Sequence, residues 1–110
     1  MDKVIGLGRM GCAVAEELSA HPEYRIYKID ASIDERVSLS LGNFSTMDEY
    51  ERLIDQDEVA IYLRSIKDSD DVLLIVEGGD PVSGATLKIL ECIKNSRIYV
   101  LYICPERDMI

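Results

Sequence analysis

The amino-acid sequence predicts an α/β fold, a three-layer sandwich built on a parallel, Rossmann-like sheet. Short β-branched runs alternate with segments of helical periodicity. Residues 72–76 (VLLIV) are apolar at every position, as in a strand that is buried on both faces. Glycine-bearing loops follow two of the strands, which is typical of sheets that bind ligands at the carboxyl ends of their strands.

The order of the elements supports this fold class. The predicted strands are at 3–7, 24–30, 72–76 and 97–104, the last closed by Pro105. The predicted helices are at 12–20, ending at His21 and Pro22, and at 83–95. Between them lie a short helix, begun by the capping-box pair Thr46 and Glu49, and a further helix that ends near Lys67. Residues 31–45 are polar and are expected to have little regular structure. The first 30 residues form a β-α-β unit, which predicts a parallel crossover.

The length of the chain predicts one domain over residues 1–110. A doubly wound sheet covers both faces with helices, but only three or four helices are predicted here. The last six residues, 105–110, carry no pattern of a further helix. We therefore expect either that the domain is the N-terminal part of a longer protein or that a homo-oligomer supplies the missing cover.

The charge balance excludes several classes of partner. Twelve Lys and Arg stand against 21 Asp and Glu, a net charge of −9, so nucleic acid and anionic membranes are expected to be repelled. Cys12, Cys92 and Cys104 are odd in number, widely spaced and embedded in apolar stretches. They predict buried free thiols in a cytoplasmic protein, with no disulfide and no metal site.

The first glycine loop indicates a phosphate site. Gly6, Gly8 and Gly11 form a GxGxxG motif around Arg9 and Met10, between the first strand and the first helix. Glycines let the backbone approach a phosphate, and the helix N-terminus offers free N–H groups. Asp30 ends the second strand, 19 residues after Gly11, where a dinucleotide site has its ribose-binding carboxylate. The alternative is a tight turn that needs glycine, followed by a strand that happens to end in Asp.

The second glycine loop, residues 78–84, carries a family resemblance. The residues proposed to bind nucleotide there are Gly78, Gly79, Asp80, Ser83 and Gly84. Followed by an apolar helix and a strand, this loop resembles the GGGTGSG phosphate loop of the tubulin/FtsZ superfamily at four of seven positions. The spacing of the first loop is similar to that of the GQCGNQ motif of tubulin, with Cys12 where the family has Asn.

The resemblance implies a tubulin/FtsZ-like nucleotide-binding domain that binds GTP or GDP and assembles head to tail. Both loops would then face one crevice. The acidic catalytic residues of that family come from a segment with no counterpart here, so no residue is assigned a catalytic role. The resemblance implies at most a GTPase that needs parts absent from this chain.

Three residues of the second loop depart from the family pattern. Asp80 places a carboxylate beside the expected polyphosphate, Pro81 lacks an N–H donor, and Val82 adds a side chain where glycine gives the backbone room. We expect these departures to weaken nucleotide binding. Two alternatives stay open for this loop: Asp80 holds Mg²⁺ beside the phosphates, or the loop is a plain Gly-Asp-Pro turn.

Two further functions remain open. A Rossmann-type NAD(P)-binding domain of a dehydrogenase would use the first loop for the pyrophosphate and Asp30 for the ribose, and the run GLGRMG also occurs in hydroxyacid-type dehydrogenases. The other open function is an assembly module that has kept the fold and lost the ligand. Phosphate contact by the second loop favours the tubulin-like hypothesis. Contact by the first loop alone favours the dinucleotide hypothesis.

Overall fold

The computed structural model describes residues 2–33 and 38–104. The strands are β1 (Lys3–Leu7), β2 (Arg25–Asp30), β3 (Leu39–Ser40), β4 (Asp71–Glu77) and β5 (Arg97–Ile103). The helices are α1 (Gly8–Leu18), α2 (Met47–Leu53), α3 (Gln56–Tyr62) and α4 (Thr86–Cys92), and a 3₁₀ helix (Pro81–Ala85) runs directly into α4.

All five strands are parallel and lie in the order β3-β2-β1-β4-β5. The end of β1 is in register with the ends of both its neighbours, since Leu7 lies opposite Ile29 on β2 and Val76 on β4. The chain starts at the central strand, moves outward to β3 and then crosses back to β4. The topological switch point of the sheet therefore lies between β1 and β4, where ligands bind in open α/β sheets.

Helices cover the two faces of the sheet unequally. On one face α1 packs on a small core formed by Val4, Ala15 and Ile75. On the other face α2, α3, the 3₁₀ helix and α4 bury a larger core that includes Leu74, Val82 and Ile89. This arrangement confirms the three-layer α/β sandwich with a parallel Rossmann-like sheet.

The capping box predicted for α2 is present. The Thr46 hydroxyl accepts a hydrogen bond from the Glu49 amide at 3.1 Å, and a Glu49 carboxylate oxygen accepts one from the Thr46 amide at 3.2 Å. The reciprocal pair satisfies two of the amides that the start of a helix leaves without partners.

Several predicted boundaries were wrong. The first helix begins at Gly8 rather than at residue 12, so the glycine motif forms its first turn. The helix predicted to reach Lys67 ends at Tyr62 and gives way to successive turns, in which the Arg64 and Ile66 amides bond three residues back. The helix predicted at 83–95 is a 3₁₀ helix followed by a seven-residue α helix. In the described part of segment 31–45, the only strand or helix is the two-residue β3, which agrees with the little regular structure expected there.

Only one of the three cysteines is buried as predicted. Cys12 is buried, Cys92 is half-buried and Cys104 is exposed. Cys104 is exposed because it follows an edge strand, β5, whose side chains are largely open to solvent. Pro105 and the rest of segment 105–110 lie outside the described residues.

Candidate functional site

The two glycine loops meet at the switch point of the sheet. Gly8 follows the last residue of β1, and Glu77 ends β4 one residue past the partner of Leu7. A Cβ placed on Gly8 would lie 3.2 Å from Val82 Cγ1 and 3.3 Å from Asp80 Oδ2. The loops after β1 and β4 therefore contact each other, as expected from loops at the carboxyl ends of neighbouring parallel strands.

The three glycines of the first loop have two different roles. Gly8 has a φ of +85°, a left-handed conformation that other residues adopt only at a cost, and it makes room for the second loop. Gly6 and Gly11 are needed for packing. A Cβ on Gly6 would overlap the backbone of Gly11, and one on Gly11 would lie 2.6 Å from the carbonyl oxygen of Ile75. These two glycines seat α1 close to the sheet.

A carboxylate lies at the N-terminus of α1. Neither the N-cap residue, Leu7, nor the first turn supplies a capping or acidic side chain. The Met10 amide instead donates a hydrogen bond of 2.9 Å to Oε1 of Glu77, across 67 residues of sequence. Helix N-termini attract anions because their amides lack partners and the helix dipole is positive there. The start of α1 thus binds an oxyanion, and that oxyanion belongs to the chain itself.

Asp30 adds a second carboxylate at this end of the sheet. Its Oδ1 accepts a hydrogen bond of 2.7 Å from the Ala31 amide. Burial raises the pKa of the Asp30 carboxyl above its ordinary value, and the nearby Asp80 and Glu77 carboxylates raise this pKa further. The hydrogen bond from the Ala31 amide and the Arg9 guanidinium lower the pKa of Asp30 and so offset part of the shift. The charges of Asp80, Glu77 and Arg9 therefore lie close enough to act on the Asp30 carboxyl.

The amides of the second loop are used within the fold. Those of Gly78, Asp80 and Ser83 donate to the carbonyls of Ile103, Glu77 and Asp80 at 2.9–3.2 Å. The Val82 amide donates to Asp80 Oδ1 at 2.9 Å, so Asp80 is the N-cap of the 3₁₀ helix. Pro81 occupies the first helical position, where a missing N–H costs nothing. Asp80 and Pro81 thus form a capped turn.

Two glycines of the second loop are packing residues. Tyr102 of β5 lies over Gly78 and would overlap a Cβ there. The carbonyl of Met47, in the first turn of α2, lies against Gly84 in the same way. Gly79 is exposed, and the Ser83 carbonyl accepts a 2.6 Å hydrogen bond from the Thr86 hydroxyl. In this arrangement the second loop packs against β5, α2 and the first loop.

Cys12 lies beneath the first loop, where it is buried between β1 and β2. Its thiol donates to the carbonyls of Gly6 and Ile29 at 3.4 and 3.5 Å. Its burial agrees with the buried thiol expected from the sequence. Of the predicted site residues, the structure brings Gly8, Arg9, Met10, Asp30 and Asp80 near one another at the carboxyl ends of the strands.

Glu77, which contacts α1, was not among the residues predicted for the site. Its position indicates a place near the first loop, because it directly follows the buried run at 72–76 and the carboxyl ends of parallel strands meet at one edge of the sheet. Its partner depends on the order of the strands, which the sequence does not state. Among the described residues, no group of three or more His, Cys, Asp or Glu side chains could hold a metal ion. Nor does this part of the chain contain a helix long and apolar enough to cross a membrane.

Comparison with known proteins identifies no relative. No family model matches the chain, and neither a curated protein nor a solved structure is significantly similar to it. The tubulin/FtsZ resemblance therefore rests on the residues of the two loops.

Proposed function

We propose that this chain is a nucleotide-binding domain whose ligand places a phosphate at the N-terminus of α1. The hydrogen bond from the Met10 amide to Glu77 carries the proposal, because it marks the position as one that binds an anionic oxygen. The nucleotide phosphate takes the place of the Glu77 carboxylate. Arg9 and Met10 are both exposed in the first turn of α1, so the Met10 amide donates to the phosphate and Arg9 supplies a positive charge.

GTP or GDP is the ligand that we propose first. The convergence of two loops on one crevice supports a tubulin/FtsZ-like site, in which a phosphate is enclosed from both sides. Since four amides of the second loop already have partners, that loop contributes contact surface rather than donors. Binding is therefore expected to be weaker than at a loop whose amides are free.

Magnesium fits this site only together with the nucleotide. Mg²⁺ in nucleotide sites is held by one or two carboxylates and by the phosphates themselves. Asp80 Oδ1 already accepts the Val82 amide, whereas Oδ2 is directed toward Gly8. Asp80 would be the protein ligand, and the cation would offset the repulsion between this carboxylate and the phosphates.

Assembly and hydrolysis extend the same proposal. A tubulin-like domain would form a cytoplasmic homo-oligomer. It would hydrolyse GTP only with parts supplied from elsewhere, so this chain alone is expected to bind GTP without hydrolysing it. Nucleic acid and membranes are not proposed as partners, because the charge of −9 opposes both.

A dinucleotide, NAD or NADP, is the second candidate. The position of Asp30 favours it, since this carboxylate ends β2 next to the first loop, where a ribose hydroxyl is bound in dehydrogenase domains. The internally bonded second loop also favours it, because a dinucleotide needs only the first.

Calorimetric titration with GTP plus Mg²⁺, NAD⁺ and NADP⁺ tests these proposals. Gly8→Ala should abolish binding of the true ligand, since its Cβ narrows the crevice. Gly42→Ala is the matched control, because Gly42 also has a positive φ, +96°, but lies in a distant loop. Loss on Gly8→Ala alone supports the site, and no heat with any nucleotide contradicts the proposal.

The same titration separates the two ligands. Binding of GTP that survives Asp30→Ala supports the tubulin-like hypothesis. Binding of NAD⁺ alone, lost on Asp30→Ala, supports the dehydrogenase hypothesis and excludes the first.

A further inference from the structure

Strand β5 exposes an apolar surface at the edge of the sheet. Four consecutive side chains, Tyr99, Val100, Leu101 and Tyr102, are 51%, 53%, 46% and 55% exposed. Parallel strands are ordinarily buried on both faces. Long apolar edge strands pair readily with other chains, and natural proteins cover or charge them.

The exposure affects both faces of β5. Tyr99 and Leu101 are in register with Leu73 and Ile75 of β4, on the face that α1 covers farther along the sheet. Val100 and Tyr102 align with Leu74 and Val76 on the opposite face. In the part of the chain that the structure describes, only β4 pairs with β5, so the outer backbone edge is open as well.

We propose that β5 pairs antiparallel with β5 of a second copy, about a twofold axis that passes between the two Val100 residues. Val100 then lies opposite its equivalent, Tyr99 opposite Leu101, and Ile98 opposite Tyr102. Each pair joins residues from the same face of the sheet, so the two sheets continue as one of ten strands. Tyrosine beside an aliphatic residue is a favourable cross-strand pair.

Charge favours a second copy as the occupant. The segment 96–104 holds one cation, Arg97, and no carboxylate, although the chain has 21 Asp and Glu. The Arg97 guanidinium is paired with Asp71 at 2.7 Å within the same copy. Two copies that each carry −9 repel over most of their surfaces and approach with least repulsion along β5.

The exposed area predicts a reversible dimer. The four side chains expose roughly 350 Å² per copy, since half of a tyrosine is about 100 Å² and half of a valine or leucine somewhat less. Even with the backbone edge, this surface is smaller than the roughly 1,200 Å² in total that stable specific interfaces bury, so the dimer should be weak. Because like charges oppose association, the dimer should strengthen as salt screens them.

Sedimentation equilibrium without nucleotide tests the dimer. The wild-type chain should shift from 12.4 kDa toward twice that mass with rising concentration, and further at higher salt. Val100→Lys places two like charges on the twofold axis and should weaken the dimer at least about tenfold. Leu87→Lys, at an apolar residue of α4 that is 59% exposed, is the matched control and should leave dimerisation unchanged.

A cysteine variant tests the dimer even if the lysine at position 100 disturbs the fold of the chain. Residues directly opposite in an antiparallel pair have Cα atoms about 4.5–5.5 Å apart, within reach of a disulfide. Val100→Cys with Cys104→Ser should form a covalent dimer under mild oxidation, and Leu87→Cys with Cys104→Ser should not. A wild-type chain that stays monomeric, a dimer that survives Val100→Lys, or equal cross-linking of the two cysteine variants overturns the proposal.

Discussion

The carboxylate of Glu77, at the end of β4, accepts a hydrogen bond of 2.9 Å from the backbone amide of Met10 in the first turn of α1. This contact joins the central strand's helix to the neighbouring strand across the switch point of the sheet. It also places a negative charge where a nucleotide phosphate would bind. The chain's own carboxylate and the proposed ligand therefore compete for one helix N-terminus.

Glu77→Gln should strengthen nucleotide binding. The amide oxygen of Gln can still accept from Met10, but the charge that repels a phosphate is gone. We expect affinity to rise about three- to tenfold, in line with the size of charge effects at helix ends. Titration calorimetry measures it, and Glu17→Gln, an exposed change of equal charge on the same helix, is the control. Equal affinities in the two variants would contradict competition by Glu77.

Asp30→Asn should stabilise the fold near neutral pH. Burial raises the pKa of Asp30 in the folded chain, so the folded state binds the proton more tightly than the unfolded state does. Ionisation of Asp30 therefore reduces stability above its folded pKa, and this loss disappears as pH falls toward the ordinary value of 3.8.

Urea unfolding at pH 7 and near pH 4 measures this effect. The variant keeps an oxygen for the Ala31 amide, so its gain over the wild type should shrink at the lower pH. Asp68→Asn, in an exposed turn, is the control. A gain of the same size at both pH values would show that desolvation of the carboxylate is not its cause.

Gly84→Ala should damage folding. The added methyl group overlaps the backbone carbonyl of Met47, which cannot move without displacing α2. We expect a loss of about 2–3 kcal/mol in the free energy of unfolding, typical of overpacking against backbone. Gly79→Ala, at an exposed glycine of the same loop, should change it by less than about 0.5 kcal/mol. Urea unfolding of both variants checks the difference.

Thr46→Ala should remove the capping box of α2. The Thr46 hydroxyl is the acceptor for the Glu49 amide, and its loss should cost about 1 kcal/mol of stability. Ser45→Ala, whose position precedes the N-cap, should cost much less. Thermal unfolding of the two variants compares them, and equal midpoints would mean that the box contributes nothing to the fold.

Local rules predicted the fold because the periodicity of each segment agrees with its place in the sheet. The buried run at 72–76 became the core of β4, and the capping-box pair begins α2 as expected. Helix ends were predicted less well. The helix expected to reach Lys67 stops at Tyr62. The Tyr62 hydroxyl accepts a hydrogen bond from the Lys28 amide of β2, a tertiary contact that periodicity does not show.

The site was only partly predictable for the same reason. Gly8, Arg9, Met10 and Asp30 follow from a motif whose parts lie close in sequence. The contact between Glu77 and Met10, the cover of Tyr102 over Gly78 and the approach of Met47 to Gly84 all join distant segments. In the second loop the glycines suit phosphate binding and close packing equally, and only the structure shows what packs against them.

Amide NMR during nucleotide titration tests the central proposal most directly. The ¹H–¹⁵N resonance of Met10 reports on the bond to Glu77 and on any phosphate that replaces it. With GTP plus Mg²⁺, or with NAD⁺ or NADP⁺, we predict a saturable shift of Met10 that is among the largest in the spectrum. A Met10 resonance that stays in place while all three ligands are added to saturating levels would contradict the account.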